Sequence, residues 1–221
     1  IISSNKGLCG AYNVNVQKTA QRYIKAHEGK EISVIAIGKY SEKAARALKA
    51  NLKASFIDIG EEPHWNDTKV VADLIQEEFV KGEYEEVVVV YTKFISALSY
   101  TPVIQQLLPM RKKIFADFQE TVGSEKSHVE NVKREQVHEY LFEPSEDELL
   151  DAVLPRLVES QLYQAVLEAR ASEHSARMFA MRNASDNAGT LVKDLTLSYN
   201  RVRQSAITQE LSEIVAGADA L

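Results

Sequence analysis

Residues 156–216 read RLVESQLYQAVLEARASEHSARMFAMRNASDNAGTLVKDLTLSYNRVRQSAITQELSEIVA. The stretch has no proline and a single glycine, Gly189, and it is rich in Ala, Leu, Arg, Glu and Gln, all strong helix formers. It therefore reads as one continuous helix. At a rise of about 1.5 Å per residue it would extend roughly 90 Å, whereas a compact chain of about 200 residues has a radius of gyration of roughly 16–17 Å. Such a helix must project from the domain that carries it, and a projecting helix needs partners.

Its side chains indicate what kind. Ala165, Ala169, Ser172 and Ala176 follow one another in steps of four and three, and Ala180, Ala184 and Ala188 continue the row in steps of four. Small residues along one face let a second helix approach closely. Further on, Leu191, Leu195, Ser198, Val202 and Ser205 keep the three-and-four alternation. The two serines make this a weak zipper by itself, so the pattern predicts a seam that needs help from other chains. A long helix in an ordinary bundle or a coiled-coil dimer fits the same pattern.

Composition sets the wider bounds. With 45% hydrophobic and 26% charged residues the chain is that of a globular protein, long enough for one α/β domain plus the helix. A net charge of −6 argues against a general affinity for nucleic acid or anionic lipid. The exception is local. Between Arg170 and Arg203 stand six basic residues (Arg170, Arg177, Arg182, Lys193, Arg201, Arg203) against Glu173, Asp186 and Asp194. This basic collar predicts an acidic partner surface, although any one of these arginines reads equally as a solvated charge. The single cysteine, Cys9, excludes an internal disulfide and a cysteine-built zinc site. No apolar run reaches the ~18 residues of a membrane span, and no secretory leader is visible. These features fit an intracellular protein, or one that meets a membrane only through another subunit.

The remainder reads as alternating strands and helices. Ile1 and Ile2 look like the tail of a buried strand, followed by the turn SSNKGLCGAYN (residues 3–13) and a helix for which Asn13 is a good N-cap. EISVIAIG (31–38) is a buried strand, and a helix starting at Ser41 follows. SFIDI (55–59) is a third strand, then a helix capped by Asn66 or Asp67. EEVVVVYTKF (85–94) is apolar on both faces and so central in a sheet. Residues 101–108 form a further extended piece, KKIFADF and the polar stretch after it an exposed loop, and HEYLFEP (138–144) a last strand ended by Pro144. Ser145 caps the segment that passes through a kink near Pro155 into the long helix. This order predicts an open, mostly parallel sheet with flanking helices, plus one very long C-terminal helix forming half of a coiled-coil shaft. The expected division is a Rossmann-like domain at 1–144 and the helix at 145–221.

Catalytic signatures are sparse. The glycines at 7 and 10 fit neither GxxxxGK[ST] nor GxGxxG. The five histidines lack metal spacing, and there is no GxSxG elbow. Asp58, Glu61, Glu62, His64 and Asp67 cluster after the third strand, where ligands of open α/β folds bind, yet a polar loop with a helix cap accounts for them as well. Cys9 has only Lys6 nearby to lower its pKa. The sequence thus predicts no catalytic residue, no metal and no cofactor, and places function in shape and contacts. The alternative is an α/β protein binding a small phosphorylated ligand near Gly7–Gly10, with the helix as a dimerisation arm.

The segments SEHSARMFAMRNASDNA (172–188), LSYNRVRQSAITQELSEIVAGADAL (197–221), SSNKGLCGAYN and YLFEPSEDELLD (140–151) resemble the gamma subunit of bacterial-type rotary proton-translocating ATP synthases. The likeness covers the whole chain and is most specific in its last third. It implies a non-catalytic rotor: a central stalk that turns inside a ring of three alpha and three beta subunits and grips the epsilon subunit and the membrane c ring. Proton-driven rotation of the c ring is thereby coupled to ATP synthesis or hydrolysis, because the shaft favours a different conformation of each beta subunit as it turns. It further implies that Arg177, Arg203, Gln204, Thr208 and Glu210 contact the alpha/beta ring, and that Tyr140, Phe142 and Glu143 contact the c ring or epsilon. Cys9 has no catalytic role in that family, and the chain lacks the cysteine pair of the chloroplast disulfide switch. The implied location is the cytoplasmic face of the bacterial cell membrane, peripheral, with membrane contact only through the c ring and no nucleic acid. The family carries an N-terminal helix before the GLCG turn that this sequence does not contain, and that helix is the partner the seam is expected to meet.

Overall fold

The computed structural model describes residues 1–60, 62–110 and 146–219. Its elements are α1 (Tyr12–Ala26), β1 (Ser33–Ile37), α2 (Lys39–Ala47), β2 (Asn51–Phe56), α3 (Trp65–Val80), β3 (Val87–Ser96), β4 (Ser99–Leu108) and α4 (Glu146–Asp219). β1 and β2 pair in parallel through the crossover α2, with Ile37 opposite Phe56 and a bulge between Val34 and Ile35. β3 and β4 form an antiparallel hairpin in which Ser96 pairs with Ser99. The two pairs are joined by the first residues of the chain. Ile2 bridges Ile37 in parallel, and its N–H donates to the Val90 carbonyl at 2.9 Å. The spatial order is therefore β2, β1, residues 1–3, β3, β4. Ile2 is 1% exposed, as expected of a strand tail between two neighbours.

The expected open sheet with flanking helices is present, and its far edge turns antiparallel. The extended piece at 101–108 lies within β4, which returns directly along β3 because only Ala97 and Leu98 separate the paired Ser96 and Ser99. β3 carries four consecutive buried residues, Val89 to Thr92, so both of its faces are covered. The strand expected at 55–59 is a correction: β2 occupies Asn51–Phe56. There Asn51, Lys53 and Ser55 alternate outward with half-buried Leu52, Ala54 and Phe56, the period-two pattern of an edge strand. Residues 57–59 have already left the sheet.

Helix starts also differ from expectation. α1 begins at Tyr12, with Asn13 inside the helix and its side chain engaged elsewhere. α2 begins at Lys39, and Ser41 is buried, donating to the Ser3 hydroxyl at 2.7 Å. Gly38, at φ +95°, is the hinge between β1 and α2, and a Cβ there would overlap the Ser3 carbonyl. α3 starts after His64, whose N–H donates to the Asp67 carboxylate at 2.9 Å, so Asp67 closes the helix from its third position.

The 74 residues of α4 are one helical element that includes Pro155, equivalent to about 110 Å of rise. It starts ten residues before the stretch from which it was read. Val158, Leu162, Ala165, Val166 and Ala169 enter the main core with Val71, Ile75, Val89 and Leu107. The helix thus supplies a wall of the domain before leaving it. Beyond Ala180, described side chains are exposed with the exception of half-buried Asn200. The strand expected at 138–144 and the loop before it lie outside the described residues.

Candidate functional site

Two regions of α4 carry the interest: the seat, where it is held by the domain, and the free shaft beyond. At the seat the small-residue row meets the domain itself. Ala165, Ala169, Ser172 and Ala176 are all nearly fully buried, against β3, Cys9 and Tyr12. This corrects the expectation that the whole row awaits a second helix. Small side chains are needed here because the helix lies directly on the sheet. Tyr12 Oη donates to the Ala169 carbonyl at 3.0 Å, and Ser172 Oγ shares its proton between the carbonyls of Glu168 (2.8 Å) and Thr92 (3.2 Å). Ser175 Oγ donates to the Ala97 carbonyl at the hairpin tip.

The GLCG turn is built to present backbone to this seat. Ser4 Oγ donates to the Lys6 carbonyl at 2.6 Å and accepts from Asn13 Nδ2 at 2.7 Å, while Asn13 Oδ1 accepts from the Ser4 N–H at 3.2 Å. Asn13 therefore staples the turn instead of capping α1. Leu8 and Gly10 take left-handed backbone angles of φ 63° and 56° to close it. Cys9 is buried at 2% exposure with its sulfur 3.1 Å from Asn13 Nδ2, a structural position rather than that of an accessible nucleophile. A mainly apolar cavity of about 540 Å³ opens elsewhere, between β1 and β3, walled by Ile1, Val34, Ile35, Val71 and Leu162. The acidic cluster also dissolves: Asp67 is the helix closure described above, Asp58 and Glu62 are exposed, and Glu61 lies outside the described residues.

The basic collar is not one surface. Arg170 and Glu173 are buried, and Arg177 is half-buried beside them. Glu173 Oε2 binds Arg170 Nη1 at 2.8 Å and its Oε1 binds Arg177 Nη2 at 2.6 Å. Arg170 Nη2 also donates to the Ile59 carbonyl at 2.8 Å, and Arg177 Nε reaches the Gly7 carbonyl at 3.4 Å. The expected surface collar is corrected for these residues, because the α-helical spacing i, i+3, i+7 puts all three on the side that meets the domain. That spacing, one residue on from Ala169, Ser172 and Ala176, was the available signal for them. Burial raises the pKa of Tyr12 above its ordinary value, and the Glu173 charge adds to the effect.

On the free shaft, Leu191, Leu195 and Val202 stand 59–64% exposed, and Ile207, Leu211 and Ile214 are exposed above them. Such a row of unburied large apolar side chains marks a surface made for partners. Arg203, Gln204, Thr208 and Glu210 are all exposed here. Arg203 and Glu210, seven apart, share one face, and Gln204 and Thr208, four apart, share a neighbouring one, linked by a 2.9 Å bond from Thr208 Oγ1 to the Gln204 carbonyl. Arg177 is roughly 39 Å of helix away from Arg203, so the five residues form two separate stations. Tyr140, Phe142 and Glu143 lie outside the described residues. No described helix is long and apolar enough to cross a membrane.

Known proteins share this arrangement. The sequence profile of the ATP synthase family matches residues 1–221. The ATP synthase gamma chain of Roseiflexus castenholzii is 42% identical over 223 residues, covering 100% of this chain and 71% of that one. That of Haemophilus influenzae is 40% identical, covering 100% and 73%. Among solved structures, the Euglena gracilis mitochondrial ATP synthase OSCP/F1/c-ring assembly contains a chain of like fold with TM-score 0.66 and 23% identity, covering 99% of this chain and 70% of that one. A chain of the Tetrahymena thermophila mitochondrial central stalk and c ring gives TM-score 0.60 at 24% identity, covering 83% and 74%. On the strength of a profile match over residues 1–221 and relatives at 40–42% identity, the chain belongs to the ATP synthase gamma-chain family.

Proposed function

We propose that this chain is the central-stalk rotor subunit of an ATP synthase, coupling proton-driven rotation of a membrane c ring to ATP synthesis or hydrolysis in a ring of three alpha and three beta subunits. The observation that carries the reading is the last ~40 residues of α4, a single helix standing clear of its domain with apolar and polar rows both exposed. A surface of this kind acts by what it touches, so the subunit is non-catalytic and bond chemistry belongs to its partners. Residues 1–144 form the gripping α/β domain and 145–221 the shaft, whose first part is seated in the domain. Arg203, Gln204, Thr208 and Glu210 contact the alpha/beta ring from the free shaft, and Arg177 does so from the rim of the seat. Tyr140, Phe142 and Glu143 meet the c ring or epsilon. The subunit is peripheral, on the cytoplasmic face of the membrane, and reaches the bilayer only through the c ring. The physical mechanism is differential contact: each orientation of the shaft stabilises a different conformation of the beta subunit facing it.

Reconstitution tests this. Alpha and beta subunits mixed with the gamma chain should gain rotation-coupled ATP hydrolysis that the same mixture lacks without it. Equal turnover in the two mixtures would refute the proposal.

A further inference from the structure

The seat of α4 poses a mechanical problem that its apolar contacts do not solve. From Ala169 to Ala176 the helix meets the domain mainly through small side chains, its larger buried ones, Val158, Leu162 and Val166, lying further back. Apolar burial is non-directional, so it holds the helix down without fixing its rotation about its own axis. Directional contacts are needed for that: Tyr12, Ser172 and Ser175 supply neutral ones, and one group organises the charged ones.

We propose that Glu173 is the positioning residue that keys the shaft to the α/β domain, by holding Arg170 and Arg177 against backbone carbonyls of two different loops. The inference rests on the rotor reading above. The carboxylate is 3% exposed and uses one oxygen for each arginine, at 2.8 and 2.6 Å. Arg170 donates to the Ile59 carbonyl in the loop between β2 and α3. Arg177, two turns further along the same face, reaches the Gly7 carbonyl in the GLCG turn. The loops are separated by ~50 residues of chain yet touch one another, Asn5 Nδ2 donating to the Ile59 carbonyl at 3.2 Å, so they form two stops against one face of the helix, ~10 Å apart along its axis. Charge-assisted hydrogen bonds are angle-dependent, so turning the helix in its seat stretches the 2.8 Å bond to Ile59 and breaks the already long 3.4 Å one to Gly7. Without the carboxylate two guanidinium groups would share a poorly hydrated pocket with no anion between them, and their repulsion would release at least one stop. A buried glutamate flanked by two arginines is costly to desolvate, and apolar residues would serve adhesion at least as well. Its use here fits a demand for orientation.

The test uses the assembled hydrolysing complex of alpha, beta and gamma subunits, with a bead attached through Lys69→Cys on the exposed side of α3 and rotation followed one molecule at a time. With the Glu173→Gln variant, rotation should persist while the angular variance of the bead during catalytic pauses rises at least about twofold. Arg170→Met, which removes one stop and leaves the Glu173–Arg177 pair neutral, should give a smaller rise. Unchanged variance in either variant overturns the proposal. Failure of both to assemble also overturns it, since the triad would then serve folding rather than orientation. Absence of bead rotation with the unsubstituted triad would instead refute the rotor reading, so the two failures are distinct.

Discussion

Replacing Ala169 with Leu and, separately, Ala184 with Leu makes the same chemical change in the same row of small residues, yet the structure predicts opposite outcomes for the stability of the chain. Ala169 is 1% exposed, with Ala165 and Val166 beside it in the core and its own carbonyl accepting from Tyr12. Three added carbons would be worth roughly 2.4 kcal/mol if they could be buried without displacement. At 1% exposure within the core cluster the site is already enclosed, and overpacking a filled site costs typically 1–3 kcal/mol net. For a chain of this length a loss of 1 kcal/mol lowers the melting temperature by about 2–4 °C, so Ala169→Leu should lose roughly 2–12 °C. Ala184 faces solvent at the start of the free shaft, and Leu is nearly as good a helix former as Ala. Its replacement should stay within about 0.5 kcal/mol. Thermal unfolding followed by circular dichroism at a wavelength reporting the sheet domain measures both. Equal effects, or a larger loss at Ala184, would show that the small residues near the domain are not sized by the sheet beneath them.

Two further outcomes follow from the same packing. Gly38→Ala places a side chain at φ +95°, ψ 151°, a region almost closed to other residues, and pushes it into the Ser3 carbonyl. The strain alone is of order 1–3 kcal/mol, so urea unfolding should show a lower midpoint, and an unchanged midpoint would contradict the close approach of Ser3 to Gly38 where the first residues run beside β1. Alkaline pH should also weaken the fold. Burial, reinforced by Glu168, pushes the Tyr91 phenol up to about 12, and burial together with Glu173 raises Tyr12. Both folded values lie above the unfolded value of about 10, so their contribution is intact below that pH and is lost as the pH climbs through the folded values. Urea midpoints tracked with tyrosinate absorbance should fall across this window; a flat profile would place both hydroxyls in water.

Much of this was readable beforehand for a simple reason. A helix of dozens of residues without proline and with a single glycine announces itself through local propensity and periodicity, which need no knowledge of the rest of the chain. The four-valine run of β3 did the same for a strand covered on both faces. β2 was misplaced because FIDI is more apolar than the true edge strand, whose signature is alternation and not hydrophobicity. Asn13 was assigned as a cap because its residue type suits one, whereas its partners, Ser4 and Cys9, were fixed by how the turn closes.

Along α4 the division between the two kinds of information falls at a definite place. From residue 181 onward the pattern of side chains by itself determined a rod with a partner-seeking surface, since an exposed helix presents the face its sequence spells. Below that point only tertiary structure decided what each residue does. Ala169 proved to be a bearing surface, and Arg170 and Glu173, whose residue types suit solvated charges and whose spacing beside the small-residue row is their one signal in sequence, proved to be buried against loops drawn from residues 7 and 59. Charge and size are properties of a residue, but burial is a property of what the distant chain brings to it.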